Sequence, residues 1–342
     1  MLPQDIDNEI RDKPTFFQRP DRLHEPLYVL TTVFNAPRYR SRWKLHQDWV
    51  KMVVEAGAIP CVVEVAFRDR DFSVTEPDNP HHLQLRSSAE VWHKENALNL
   101  LIQRLPQDWQ YLATIDSDIS FARPDWANEC LHRLQKNRII QLWSEAEDLG
   151  PNFEGLSKHH SFVYSWKHDE VLPDEGYYGK PEQNKVFTYH PGFAWGYRRD
   201  ALEDLGGYGC GPLIDWAILG AADQHMAKCL IGKGKSSLHP DIKGPYRDMV
   251  LQWEDRALRY IKKDLGYMDG KILHYWHGKK VNRFYWSRWQ VITKTQFNPF
   301  TDLKRTTQGL SKLVIESERQ EKLRDLLRAY FSSRNEDSID VD

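Results

Sequence analysis

"YLATIDSDISF", residues 111–121, ends a run of uncharged residues in two aspartates one residue apart. The run is apolar and β-branched, which predicts a buried strand with Asp116 and Asp118 at its carboxyl end. Carboxylates this close repel one another and lose hydration unless a cation or a proton joins them. Three readings fit. The pair holds a hard divalent cation, Mn²⁺ or Mg²⁺, which prefers oxygen ligands. Alternatively Asp116 is a nucleophile and Asp118 a general acid. In the third, Asp118 or Ser120 caps the helix predicted over 123–137.

The surroundings of the pair set the fold class. "LYVLTTVF" (27–34) and "CVVEVAF" (61–67) read as buried strands, with helical spacing between them over 39–57 and Gly57 as its stop. Strand, helix, strand in about 40 residues is a βαβ unit and predicts a parallel sheet. A polar loop (68–90) follows, then a helix over 93–105, the strand at 111–119, the helix over 123–137 and a strand at 138–143. Residues 144–184 read as loop. Beyond them come a strand and short helix (185–209), helices over 220–232 and 245–266, a strand at 271–276 and helix over 282–295. An amphipathic helix (309–331) and a frayed acidic tail complete the chain. The fold class is α/β with a mostly parallel sheet, and such sheets take ligands at the carboxyl ends of their strands.

Composition narrows the function. The chain has 342 residues and a net charge of −2, which supplies no global pull toward nucleic acid or membrane. Thirteen tryptophans and fifteen tyrosines suit either an aromatic core or surfaces that stack on sugars or bases. The four cysteines form no CxxC pair, which predicts reduced, buried thiols. The opening "MLPQDIDNEIRDKP" lacks the apolar stretch of a signal peptide, and no run reaches the roughly 20 apolar residues of a membrane span. A cytoplasmic location is the expectation.

Four segments together resemble the GT-A-type glycosyltransferases, the nucleotide-sugar-dependent class. They are "LYVLTTVFNAPRYRSRW", "WHKENALNLLI", "IDSDISF" and "GFAWGYRRDALEDLGGY…GAADQHMA". The last is similar to the acceptor-side segment of galactosyl- and N-acetylgalactosaminyltransferases. The resemblance runs from about residue 27 to 290. It implies a Rossmann-like sheet flanked by helices, with an acceptor-side subdomain and C-terminal helices. The expected organisation is an arm (1–26), a nucleotide-sugar half (27–145), an acceptor and catalytic half (146–298) and a C-terminal helix with acidic tail (299–342). A strand ending in D-x-D also marks haloacid-dehalogenase-type phosphatases. There the motif stands near the chain start, whereas about 110 residues precede it here.

The resemblance implies roles for the residues. Asp118 contacts the cation, and Asp116 reaches cation or ribose. The cation bridges the donor diphosphate and neutralises the leaving group. A late histidine often completes the ligand set, and "LHYWHGKK" offers His274 and His277. In an extended segment residues three apart face opposite sides, so only one would reach the cation, and Gly278 favours His277. Residues 271–301 hold six Lys or Arg and no acid. Lys279, Lys280 and Arg283 are candidates to clamp the diphosphate. A solvated basic face, or a nucleic-acid contact using the interleaved aromatics, fits the same block. The family's base stands in a "G-G-E-D"-like segment, which here reads "GAAD". Asp223 is therefore the candidate base and Asp215 the runner-up. Trp195 and Tyr197 are a candidate sugar-stacking wall, and Gly206 and Gly207 a close approach to the donor sugar or a helix stop. Thr32, Asn35, Glu64 and Lys94 are the nucleotide-side candidates. The expected partners are a nucleotide sugar, most often a UDP-sugar in this class, and a glycan, lipid-linked or other hydroxyl acceptor. A modified DNA base is a second acceptor class, and a non-catalytic nucleotide- or glycan-binding protein is the opposing reading.

Overall fold

The computed structural model describes residues 25–170, 189–207, 211–285 and 287–341. The elements, in chain order, begin with β1 (Leu27–Phe34), α1 (Arg40–Glu55), β2 (Ile59–Phe67), β3 (His82–Ser87), α2 (Lys94–Ile102), β4 (Tyr111–Ile115) and β5 (Ile119–Phe121). Next are α3 (Trp126–Lys136), β6 (Ile139–Gln141), β7 (Glu145–Leu149), β8 (Gly155–Ser161), α4 (Phe162–Lys167), β9 (Tyr189–His190), β10 (Ala194–Arg198) and α5 (Arg199–Leu205). The remainder are α6 (Ala222–Leu230), α7 (Pro245–Arg256), β11 (Leu265–Tyr267), β12 (Lys271–His274), α8 (Trp289–Thr295), α9 (Pro299–Asp302), β13 (Leu303–Arg305), β14 (Ser311–Leu313) and α10 (Glu318–Ser333).

The main sheet has seven strands in the order β11-β6-β10-β4-β1-β2-β3. All of its pairings are parallel except those of β10, which runs antiparallel to β4 and β6. This is the expected α/β architecture. Both faces are covered. Along β1, Leu27, Val29 and Val33 face one core layer, with Trp49 of α1 and Leu134 of α3. Tyr28, Leu30 and Phe34 face the other, with Leu98 of α2, Leu230 of α6 and Leu327 of α10. A strand buried on both sides needs a near-continuous apolar run, which is why β1, β2 and β4 are legible. Strand order reverses between β1 and β4, and the crevice at their carboxyl ends is where such a sheet binds ligands.

Several elements differ from expectation. The polar loop 68–90 contains β3, whose buried Leu83, Leu85 and Ser87 alternate with more exposed residues. The expected loop 144–184 contains β7, β8 and α4; its part from 171 onward lies outside the described residues. β7 and β8 belong to a second sheet, in the order β5-β12-β7-β8-β9, and much of β8 is exposed, so no apolar run marks it. The strand expected over 111–119 breaks in two. The chain leaves the main sheet at Ile115 and enters the second at Ile119. The helix expected over 309–331 begins only at Glu318, where the Ser317 hydroxyl accepts from the Gln320 N–H, and Ser311–Leu313 pairs with β13 instead. The acidic tail is not frayed as far as it is described. Asp337 accepts from the Arg40 and Ser41 N–H groups and caps α1, which has no side-chain cap from its own N-cap residue.

Glu64 is the clearest structural carboxylate. Buried in β2, it accepts from the N–H groups of Ser73, Val74 and Thr75 and from the Thr75 hydroxyl. It pins the loop beside β2. Replacing it by Ala would leave those donors without their acceptor, and a loss of about 3 kcal/mol is expected, read as a lower urea midpoint at unchanged m-value.

Stability also depends on pH through buried histidines. Burial pushes His46 and His93 down to about 4 and His225 to about 3. An unfolded histidine titrates near 6.5. Below that pH the unfolded chain takes up protons that the folded chain refuses. Stability is therefore full above pH 6.5 and falls as pH drops toward 4, by up to about 1.4 kcal/mol per pH unit for each histidine. Urea midpoints measured between pH 7 and 4 check this; a flat profile would contradict it.

Candidate metal centre and active-site cleft

A cleft of about 190 Å³ opens at the β1–β4 crevice. Thr32 from β1, Lys94 from α2, Asp116 and Asp118 after β4, Asp223 from α6, His274 and His277 at the end of β12, and Arg283 all line it. The two aspartates occupy the link between the sheets. The Asp116 N–H donates to the Phe193 carbonyl, and the Asp118 carbonyl accepts from the Tyr275 N–H, so each is tied to a different layer. Neither aspartate caps α3, whose N-cap residue is Asp125.

The aspartates have different partners. Asp116 makes an ion pair with Lys94. Burial opposes the Lys94 charge, but the carboxylates of Asp116, Glu95 and Asp223 carry its pKa above the ordinary lysine value. Asp118 instead meets two imidazoles. Its Oδ2 lies 3.2 Å from His277 Nε2 and 4.0 Å from His274 Nε2. One ligand atom from each of the three residues falls within 4.8 Å of the other two. Asp118 Oδ1 is buried with no hydrogen-bond partner. A carboxylate with one oxygen beside two imidazole nitrogens and the other buried without a partner fits a divalent cation, since such an oxygen is otherwise costly to leave unpaired. Both imidazoles face Asp118, although an extended segment would have turned them to opposite sides. β12 ends at His274, so the three-residue spacing to His277 is not read along an extended strand.

His274 is oriented by a residue absent from the sequence reading. β7 and β12 pair in parallel with Asp148 opposite His274, and the His274 Nδ1 lies 2.6 Å from Asp148 Oδ1. Donation from Nδ1 to this carboxylate leaves Nε2 as the lone-pair nitrogen facing Asp118, the arrangement that fixes metal-binding histidines. Asp148 also accepts from Ser157 and from Lys280. Burial alone would raise its carboxyl, but the His274 hydrogen bond and the charges of His274, Lys280 and His159 hold it well below the usual range. Burial, then Arg283 and His274, push His277 well below the ordinary histidine value, so it is neutral and able to ligate. Asp148 is hidden in sequence because it sits in a stretch read as loop, and only strand register brings it to His274.

Asp223 stands in the first turn of α6, where the N-terminal dipole favours a carboxylate. The residue before the helix, Ala221, has φ +73°, which aims the helix start at the cleft. Asp223 Oδ1 accepts from the Gln224 N–H. A Cβ at Gly192 would come within 2.7 Å of Asp223 Oδ2 and 2.9 Å of the His190 ring, so only glycine lets these groups approach. Glu95, also unforeseen, lines the same cleft, and burial raises its carboxyl to about 8 despite Lys94.

Other candidates lie elsewhere. Asp215 is not at the cleft; it pairs with Arg305 and accepts from Asn99. Asn35 is buried, accepting from the Tyr39 N–H and donating to its carbonyl. Glu64 clamps its loop. Gly206 ends α5 and Gly207 packs on the Arg256 guanidinium, so neither approaches the cleft. Trp195 and Tyr197 share a face, as expected, but both are buried and wall a small inner cavity of about 30 Å³ behind Lys94 and Asp223. Of the basic block, Lys271 pairs with Glu145 and Glu147, Lys280 with Asp148, and Arg283 lies against His277. Lys279 does not line the cleft. Trp289 is buried, and Trp286 lies outside the described residues. Among the described residues, no helix is long and apolar enough to cross a membrane.

No family model and no curated protein matches the chain. Several solved structures are similar to it. The catalytic domain of Drosophila beta1,4galactosyltransferase 7, in complex with xylobiose, is 10% identical with TM-score 0.32, and the match covers 61% of this chain and 62% of that one. The chain thus spans less than two thirds of that structure. Residues 1–349 of S. aureus TarS with UDP-GlcNAc are 11% identical with TM-score 0.32, over 70% of this chain and 74% of that one. A putative nucleotide-diphospho-sugar transferase from Desulfovibrio desulfuricans G20 is 10% identical with TM-score 0.30, over 90% and 97%.

Titration with Mn²⁺ tests the metal centre directly. Asp118→Asn and His274→Ala should each weaken binding by more than a hundredfold. Asp148→Asn should weaken it about 10- to 100-fold without touching the ion. Wild-type affinity in Asp118→Asn would rule out its ligand role.

Proposed function

We propose that this chain is a metal-dependent glycosyltransferase that moves a sugar from a nucleotide-diphosphate sugar, a UDP-sugar foremost, to an acceptor hydroxyl with inversion. The observation that carries the reading is the Asp118 carboxylate at the β1–β4 crevice, with one oxygen unpartnered and the other facing the imidazoles of His274 and His277. A bound Mn²⁺ or Mg²⁺ would supply Lewis-acid neutralisation of the diphosphate.

The chain's own groups support the rest. Arg283, against His277 at the cleft wall, is placed to hold a diphosphate oxygen as charge builds on it. Burial raises the Asp116 carboxyl, and the Lys94 ion pair opposes that rise and holds the side chain in place. Asp223 is the base. It takes the acceptor hydroxyl proton as that oxygen bonds to the anomeric carbon and the carbon–oxygen bond to the diphosphate breaks. Asp223 lines the cleft from the first turn of α6, with Oδ1 accepting from the Gln224 N–H. The phosphatase alternative loses its nucleophile, because Asp116 is committed to Lys94 and two of the three candidate ligands are histidines rather than acids.

Mn²⁺-dependent hydrolysis or transfer across a panel of nucleotide sugars is the experiment. Asp223→Asn should lower kcat by about 10²- to 10⁴-fold with nucleotide binding retained. Binding without turnover for any donor would leave a nucleotide-binding protein and sink the enzyme reading.

A further inference from the structure

The cleft lining holds a second set of charges. Arg42, Arg288 and Arg334 line it, and so does the carboxylate of Glu336. Glu336 comes from the C-terminal segment, is 1% exposed, and yet faces a ligand cleft. Arg42 donates to it from Nε and Nη2 at 2.6 and 2.8 Å, and Arg334 from Nε at 2.7 Å.

Two guanidiniums on one carboxylate leave a net positive charge in a buried place. The arrangement is better matched to a group with more oxygens and more charge. The arginines also have anchors independent of Glu336. Arg42 Nη1 donates to the Phe34 carbonyl, and Arg334 Nη1 to the Tyr330 hydroxyl. Their forks would keep their place if the carboxylate left. Removing a buried carboxylate with nothing in its stead is strongly unfavourable, but exchanging it for a phosphate keeps both arginines paired.

We propose that Arg42 and Arg334 form a phosphate-binding site that the Glu336 carboxylate fills until a substrate phosphate displaces it. The segment around Glu336 shifts with the side chain. Its backbone lies flush on Gly278, where an added Cβ would come within 2.7 Å of the Asn335 carbonyl and 2.9 Å of the Glu336 Cα. The flanks are held by Asp337 on the start of α1 and by the Trp276 Nε1 bond to the Ser338 carbonyl. Displacing Glu336 therefore loosens contacts next to His277. The inference rests on the proposed function only for whose phosphate enters, the donor's or a phosphorylated acceptor's.

The test is titration of the full chain and of Glu336→Gln with inorganic pyrophosphate, UDP and glycerol phosphate, all in EDTA. Pyrophosphate and UDP should bind Glu336→Gln at least tenfold more tightly than wild type, and Arg42→Met added to it should abolish the gain. A gain for glycerol phosphate alone keeps the site and assigns it to an acceptor phosphate. Unchanged or weaker binding of all three overturns the proposal, since Glu336 would then only steady the arginines. If Glu336→Gln does not fold, hydrogen exchange on the wild-type chain decides. The Asn335–Ser338 amides must exchange faster with saturating pyrophosphate, and equal or slower exchange overturns the idea. Nucleotide-sugar turnover can fail while the pyrophosphate result stands, so the two readings are tested separately.

Discussion

The structure turns on a change of sheet. Between Ile115 and Ile119 the chain passes from the seven-stranded sheet to the five-stranded one, and the three residues it uses for the step include both aspartates. Backbone bonds from Phe193 and Tyr275 hold the two sides of that step. Because β5 pairs with β12, and β12 with β7, entering the second sheet brings Asp118 to His274, and His274 to Asp148. A strand that simply continued would have kept both aspartates on one face of the main sheet, away from the histidines of the second.

The cleft that results gathers opposite charges. Asp116, Asp118, Asp223 and Lys94 line it together with Arg42, Arg283, Arg288, Arg334 and Glu336. Arg283 links the two groups, since its guanidinium lies on His277, which is 3.2 Å from Asp118. The metal reading, the diphosphate reading and the place of Glu336 are in this sense one statement about where charge lies.

How much of this is legible in sequence follows from burial. β1, β2 and β4 are buried on both faces and announce themselves as apolar runs. β3, β7 and β8 have a polar or exposed face and do not. Asp118, His274, His277, Lys94, Asp223 and Arg283 stand out in sequence because their residue types sit beside recognisable punctuation, and the structure brings them to one cleft. Asp148, Glu95 and Glu336 do not stand out, because register, helix burial and a folded-back terminus set their places, and none of these leaves a local pattern. Glu64, Asn35 and Asp215 stand out in sequence but lie away from the cleft lining. Each is a polar residue in a suggestive place whose hydrogen bonds serve the fold.

The antiparallel strand β10 has a consequence for how the chain assembles. It lies between β4 and β6 in the main sheet, although its residues, Ala194–Arg198, follow both in sequence. Until they emerge during synthesis, β4 and β6 each present an open edge with no neighbour to separate them from another chain. The first 145 residues are therefore not a self-sufficient unit, and a truncated product of that length would be a candidate for chaperone retention or aggregation rather than a working nucleotide-binding half.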